Sequence, residues 1–477
     1  MERIVSFLAL GVPTPWAYGV ALVSVGGLLG ASVHVILTKR DERAAAGWLG
    51  VIVLAPLVGA LLYLTLGINR IRRTAFRLRG PRPAPSPPPK PTPVSGPPGL
   101  VRSLDALCRF PRVALPRVDV LVDGDEAYPA MWEAIERAES SISLSTYIFD
   151  RDLAGEGFIE RLAQAQARGV EVRVLADDAG LRYSWPTVLR TLRRRGVRVR
   201  RFLPAGLRSF AYLNLRTHRK ILVVDDEVGF TGGINIRVGH QLAARPKRPV
   251  RDLHFRVMGP LVGQLHQVFW EDWTFAGGDR FDLPTVNDAG SGCEPSAPWA
   301  RTISDGPDED LDQLLGAYLA GLACAERSVR ILTPYFLPDQ SLQSALATAA
   351  LRGVQVDVVI PARCNLPFVQ WAMWGQIRTM VDVCRVWLSP PPFDHSKLMV
   401  VDECWVLFGS GNWDPRSYRL NFELDVEAYD QLFGRQMADL VDHRIGTARR
   451  LTAADLDARS LPCRLRDGVA RLFAPIL

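Results

Sequence analysis

Near its start the chain contains two long stretches without a charged side chain, the first lying between Arg3 and Lys39. Pro13 and Pro15 interrupt that stretch, so the predicted helix covers residues 16–37. The second covers residues 47–68 and includes Trp48, Val51, Leu54, Leu57 and Leu61. Both reach the roughly 20 residues needed to cross a hydrocarbon core. A cleaved signal peptide is the rival reading of the first run, but the run is too long and lacks a small-residue cleavage site before charge resumes. The pattern predicts two transmembrane helices. Their connection, 38–46, carries Lys39, Arg40 and Arg43 beside Asp41 and Glu42, and Arg70, Arg72, Arg73, Arg77 and Arg79 follow the second run. By the positive-inside tendency the downstream side, and the N-terminus with it, is expected in the cytoplasm. Residues 81–99 are then dominated by proline, which predicts a semi-rigid spacer.

From Val118 onward strand-like and helix-like segments alternate. A β-branched and aromatic stretch at 141–149 precedes a helical pattern at 154–167 and a strand pattern at 170–176. The order returns at 328–336, 341–351 and 354–360, and even the junctions agree, Arg168-Gly169-Val170 answering Arg352-Gly353-Val354. Alternation of this kind predicts layered α/β domains, and the self-similarity predicts an internal duplication. The expected divisions are 1–80 (membrane anchor), 81–99 (linker), 100–290 (first domain) and 291–477 (second domain).

With 477 residues, 48% of them hydrophobic, the chain is long enough for several cores, and wholesale disorder is excluded. A formal charge of +7 suits an anionic partner without choosing among phosphate, lipid headgroup and nucleic acid. The seven cysteines are scattered and form no Cys-x-x-Cys pair, so they read as free thiols in a reducing compartment.

The duplication extends to polar residues. His218-Arg219-Lys220 is followed after four apolar residues by Asp225, then by Gly232-Gly233-Ile234-Asn235; His395-Ser396-Lys397 is followed likewise by Asp402, then by Gly409-Ser410-Gly411-Asn412. One His-x-Lys-x4-Asp match is a weak signal, whereas two with the same Gly and Asn offsets are specific. In this doubled motif the chain resembles the phospholipase D superfamily, from about Val118 to the C-terminal region. Within it the chain looks most like bacterial cardiolipin synthases, through Asn214 to Ile221, Arg251 to His254, Thr333 to Pro338, and above all Asn412-Trp413-Asp414-Pro415-Arg416-Ser417-Tyr418-Arg419-Leu420-Asn421-Phe422-Glu423. The resemblance implies two phospholipase D-type α-β-α sandwich domains with pseudo-twofold symmetry behind the two membrane helices.

A phosphodiester repels nucleophiles and holds a poor leaving group. A neutral imidazole answers the first difficulty and an imidazolium proton the second. His218, Lys220, Asp225, His395, Lys397 and Asp402 form the expected catalytic set. In each copy His and Lys share one strand face, the two lysines are expected to bracket the phosphoryl oxygens, and Asn235 and Asn412 to add donors. As in the family, Asp225 and Asp402 are expected to anchor local structure away from phosphorus. The resemblance further implies that Asp252 orients His395, that Glu423 orients His218, and that His218 is the nucleophile. Motif symmetry by itself leaves the opposite assignment open.

No metal or cofactor is expected. The implied reaction forms cardiolipin from two phosphatidylglycerol molecules, releasing glycerol, at a bacterial plasma membrane; phosphatidylethanolamine is the other candidate lipid. A phospholipase D hydrolase shares the intermediate. A nuclease of the same superfamily is the reading from another substrate class, and the membrane helices argue against a nucleic-acid partner.

Overall fold

The structure is a computed structural model and describes residues 14–39, 42–67, 97–115, 117–204, 215–279, 297–307 and 313–474. Apart from its last three positions, the proline-rich segment lies outside these residues. The chain divides into two compact units, Met1–Thr74 and Ala75–Leu477.

The first unit contains helices α1 (Thr14–Thr38), α2 (Glu42–Leu54) and α3 (Pro56–Leu62), then a π-helical turn at Tyr63–Gly67. Helix α1 turns Leu22, Leu29 and Leu37 outward, as a helix solvated by lipid does. Over Tyr18–Thr38 it is long and apolar enough to cross a membrane, with a mean hydropathy of 2.1. The second uncharged run does not form the single helix expected of it. Ala55 leaves helical geometry at φ −139°, and Pro56 opens a new helix. Proline has no N–H to donate, and its ring clashes with the carbonyl four residues back, so the run is cut into two short pieces. Only one continuous spanning helix is found among the described residues. A small interior forms around Tyr63, whose hydroxyl lies 2.7 Å from His34 Nδ1 and whose ring centroid lies 5.4 Å from that of Trp48.

In the second unit the first half supplies β1 (Val113–Ala114), β2 (Val118–Val122), β3 (Ser141–Thr146), β4 (Glu171–Asp177), β5 (Arg198–Phe202), β6 (Arg216–Thr217), β7 (Ile221–Val224), β8 (Val228–Gly232), β9 (Val250–Arg251) and β10 (Leu253–Met258). The second half supplies β11 (Trp299–Asp305), β12 (Ser328–Leu332), β13 (Gln355–Pro361), β14 (Arg385–Ser389), β15 (Phe393–Asp394), β16 (Leu398–Val401), β17 (Trp405–Gly409), β18 (Asn421–Tyr429) and β19 (Arg449–Leu451). The main helices are α4 (Pro98–Leu107), α5 (Asp123–Arg137), α6 (Leu153–Ala167), α7 (Leu261–Phe275), α8 (Gln313–Cys324), α9 (Gln340–Leu351), α10 (Pro367–Ile377), α11 (Gln431–Gly446) and α12 (Leu461–Arg471).

One sheet runs β2-β10-β8-β7-β3-β4-β5, and the body of the other runs β11-β18-β17-β16-β12-β13-β14. Strand for strand this is one topology used twice: β3, β4 and β5 are parallel, as are β12, β13 and β14, and the remaining pairs are antiparallel. The inner faces of both sheets pack against α7, α11 and each other in one core, where the Phe255 and Phe408 rings lie 4.0 Å apart. The outer face of the first sheet is covered by α5 and α6, and that of the second by α4, α8, α9 and α10.

Each buried Leu, Val or Phe in such layers contributes roughly 1.5–3 kcal/mol. That burial explains the four apolar residues inside each motif: Ile221 and Val223 point into the central core while Leu222 and Val224 point into the outer one. Residues 98–114 cross the expected domain order, since α4 packs in the second half's outer core and β1 pairs with β11.

Candidate active site

The aspartate that closes each motif sits just past its strand, in left-handed geometry with φ 54° at Asp225 and 51° at Asp402. From there the Asp225 carboxylate accepts the N–H groups of Glu139, Ser140 and Ser141 at 2.8–2.9 Å, at the start of β3. Asp402 does the same for Glu326, Arg327 and Ser328 at 2.7–2.8 Å, ahead of β12. Both carboxylates are spent on backbone donors at the far end of the strand from the histidines. Replacing Asp402 by alanine strands three N–H groups. It is expected to cost about 3 kcal/mol in chemical denaturation, leaving turnover per folded molecule unchanged within a few fold.

The histidines meet because each half docks its motif on the other. Strand β6 pairs with β18, Arg216 opposite Asn421 and Thr217 opposite Phe422, and His218 N donates to Phe422 O at 2.9 Å. Reciprocally, β15 pairs with β9, Asp394 opposite Arg251, and His395 N donates to Arg251 O at 2.7 Å. Each imidazole therefore lands beside the opposite half's carboxylate. His218 Nδ1 is 3.0 Å from Glu423 Oε2, and His395 Nδ1 is 2.8 Å from Asp252 Oδ2. A carboxylate at Nδ1 selects the tautomer with its proton there and leaves Nε2 free to act. The two rings face one another with centroids 6.4 Å apart and planes at 84°. Tyr147 lies edge-on to His218 at 5.4 Å and Tyr335 edge-on to His395 at 6.2 Å.

Lys220 and Lys397 are buried at the same centre. Lys220 Nζ donates to His218 O at 2.5 Å; Lys397 Nζ donates to His395 O and lies 2.9 Å from His395 Nδ1. Burial lowers the Lys220 ammonium to about 7, partly offset by Glu423, and lowers Lys397 to about 8, partly offset by Asp252. Burial also holds both histidines below their ordinary value, His395 well below, with both lysines acting in the same direction on each and the adjacent Glu423 offsetting part of it at His218. Asn235 spends its amide oxygen on Ile148 N at 3.1 Å, which leaves its amide nitrogen as the group it can offer a phosphate oxygen. The N–H of Ile148 turns away from β3 to make that bond, so the strand ends at Thr146 instead of continuing to Phe149. Asn412 is buried at the corresponding place, its backbone N donating to Ser417 Oγ at 3.1 Å. Two imidazoles, two lysines and two asparagines are thus buried at one centre, the imidazole centroids 6.4 Å apart.

The halves are not identical. Glu423 accepts from Ser410 Oγ at 2.5 Å and from Asn421 Nδ2 at 2.9 Å in addition to its histidine; against burial, which raises it, His218 first and then Lys220 and Ser410 hold its carboxyl below the ordinary range. Asp252 accepts the Leu253 N–H at 2.8 Å, but burial dominates and raises it. Where Ser410 stands in one half, Gly233 stands in the other, and a Cβ there would lie 2.1 Å from Asp252 Oδ1. Gly233→Ser is therefore expected to push Asp252 off His395, cutting turnover about a hundredfold with unfolding little changed, as steady-state assay and denaturation would read.

Ser410, Asn421 and Arg219 are the residues that sequence reasoning did not single out. Arg219, almost fully buried, reaches Glu423 O, Asp272 Oδ1 and Asp305 O at 2.7–2.9 Å, and so fixes the carboxylate strand from behind. Its place between His218 and Lys220, on the opposite strand face, was the available signal. Of the six arginines between 193 and 201, Arg195 pairs with Glu160 and Arg201 with Asp178, and Arg198 lies 3.9 Å from Glu171. His240 and His254 are buried outside the motifs and held neutral by burial, each at about 3. Six cysteines are free thiols, and Cys293 lies outside the described residues.

Two His-Lys pairs brought to one centre by a duplicated α/β unit define a phosphodiester-processing site of the phospholipase D class. The family model described as the phospholipase D-like domain of cardiolipin synthase matches residues 131–273 and 318–445. A second, described as phospholipase D-nuclease N-terminal, matches residues 28–67. A cardiolipin synthase of Staphylococcus aureus is 30% identical over 94% of this chain and 94% of its own length. The major cardiolipin synthase of Bacillus subtilis is 29% identical over 96% of this chain and 98% of its own. Among solved structures, phosphatidylserine synthase from Haemophilus influenzae shares the fold at a TM-score of 0.62, with 16% identity over 79% of this chain and all of that one. The chain belongs to the cardiolipin synthase family of the phospholipase D superfamily, and it is an enzyme of that type.

Proposed function

We propose that the chain makes cardiolipin, moving a phosphatidyl group from one phosphatidylglycerol to the free hydroxyl of a second and releasing glycerol. The observation that carries this reading is the crossed pairing of His218 with Glu423 and His395 with Asp252 around two lysines, in a chain of this family.

In the proposed sequence, the Nε2 lone pair of His218 forms the new bond to phosphorus and the bond to the glycerol oxygen breaks. That oxygen takes the Nε2 proton of His395. The second lipid's hydroxyl then returns a proton to His395, its oxygen bonds phosphorus, and the P–N bond to His218 breaks. Burial and the lysines disfavour an imidazolium at His395 in the empty site. The substrate's anionic phosphate supplies the compensating charge. Lys220, Lys397 and the two asparagine amides meet the oxygens on which negative charge grows.

The proposal includes domains dividing near 81–99 and at 290/291, a plasma-membrane location with the catalytic body on the cytoplasmic side, and a second crossing by the broken run 47–68. The family match over residues 28–67 supports the membrane part.

Mass spectrometry of products from full-length protein and labelled phosphatidylglycerol tests the reaction, beside a His218→Ala control. Cardiolipin with free glycerol, absent from the control, is expected. Phosphatidic acid as the sole product would make water the acceptor and overturn the transferase reading. Turnover only when phosphatidylethanolamine is added would reassign one of the two lipids.

A further inference from the structure

Helix α12 buries Ala470 and Asp467 against α10, where Gly375 lets the two backbones approach: a Cβ at Gly375 would lie 2.4 Å from Asp467 O. Arg459 and Arg466 both pair with Asp467, while their guanidinium groups stack on Trp374 and Trp371 at 5.3 and 4.5 Å. The helix is thus firmly seated, and its other side is exposed among the described residues of this unit. Leu461, Leu465, Val469 and Leu472 fall at spacings of three and four residues, on one stripe, and are 56–72% exposed. Phe473 extends the stripe to Phe368 of α10, ring to ring at 5.6 Å. Arg464 and Arg471 flank it on one side and Arg466 on the other, all exposed.

Four exposed aliphatic side chains in line on a rigidly held helix are costly in water, and arginines on both flanks match the composition of helices that lie in a membrane interface. The stripe also leads to the chemistry. The exposed Leu366 follows Asn365 directly and Phe368 two residues later, Asn365 accepts the Tyr335 hydroxyl at 2.8 Å, and Tyr335 lies against His395. We propose that α12, with Leu366 and Phe368, is an interfacial docking face that seats the catalytic body on a bilayer carrying anionic headgroups, so that lipid enters from the His395 side. This rests on the lipid reading above and adds to it the surface by which lipid is reached.

The test uses full-length protein reconstituted in phosphatidylcholine vesicles and two forms of one substrate: long-chain phosphatidylglycerol within the bilayer, and dihexanoyl phosphatidylglycerol dissolved as monomers. Leu465→Asp/Leu472→Asp is expected to lose about tenfold or more on bilayer substrate while staying within about twofold of wild type on the dissolved one, since each leucine withdrawn from the interface forfeits about a factor of ten. Arg464→Gln/Arg471→Gln should show the same split, more weakly and reduced by added salt.

Equal activity of the aspartate variant and wild type on both substrates overturns the docking face. So does an equal loss on both, or a change of oligomeric state in the aspartate variant, which would make the stripe a contact with a second copy. Wild type inactive on both substrates would instead sink the lipid reading itself.

Discussion

His218→Ala is expected to lose about four orders of magnitude or more in turnover while unfolding within about 1 kcal/mol of the wild type, because it removes the proposed attacking atom and vacates a position at the edge of the site rather than in the core. The sharper experiment separates the two imidazoles. A phosphodiester with a nitrophenolate leaving group departs without a proton, so His395→Asn should still be phosphorylated at His218 and then stall, lacking the base for the second step. Peptide mass spectrometry of the stalled protein reads the adduct. His218→Asn treated in the same way should carry none, and an adduct on its His395 would exchange the two roles. The proposed assignment of His218 as nucleophile draws on Glu423: His218 itself, then Lys220 and Ser410, hold its carboxyl below the ordinary range, and an ionised carboxylate behind Nδ1 makes Nε2 the better base.

Lys220→Met and Lys397→Met are the second pair of large effects. Each removes a buried lysine proposed to meet the phosphate oxygens, and a loss of about a hundredfold to a thousandfold in turnover is expected. Wild-type activity should also fall as pH rises through about 7 to 8, where the two ammonium groups lose their protons. Stability moves the other way. The folded-state value of Lys220, about 7, lies below the ordinary 10.5, so between those limits the unfolded chain binds more protons and folding stability from this group rises with pH. The penalty is complete below about 7 and fades toward 10.5. Denaturation of wild type and Lys220→Met at several pH values should therefore show the wild type gaining on the variant across that window. A constant difference would mean that folding leaves the lysine's proton affinity unchanged, the ammonium staying protonated across the window as a solvated one does.

Much of the site was legible because its spacing is set by local geometry. Four apolar residues between Lys220 and Asp225 are one short strand, and the same four-residue strand separates Lys397 from Asp402. A pattern of period two with a polar residue at each end is visible in any sequence. The crossed carboxylates came from family resemblance and not from the residues themselves, because nothing local ties Asp252 to His395 across 143 positions. What joins them is the pairing of β9 with β15, two residues long and invisible to periodicity. The same limit hid the docking of residues 98–114 on the second sheet.

The break at Pro56 is a different case, since the proline stood in plain view within a run judged by its lack of charge.

The exchange of short strands between the halves has a consequence for biosynthesis. When the first motif has left the ribosome, His218 has neither Phe422 to hold its backbone nor Glu423 to set its tautomer, because both are still untranslated. His395, made later, finds Asp252 already waiting. The nascent first half therefore lacks the contacts that complete its histidine's surroundings, and a truncated translation product never gains them; the paired site exists only once one half has closed on the other.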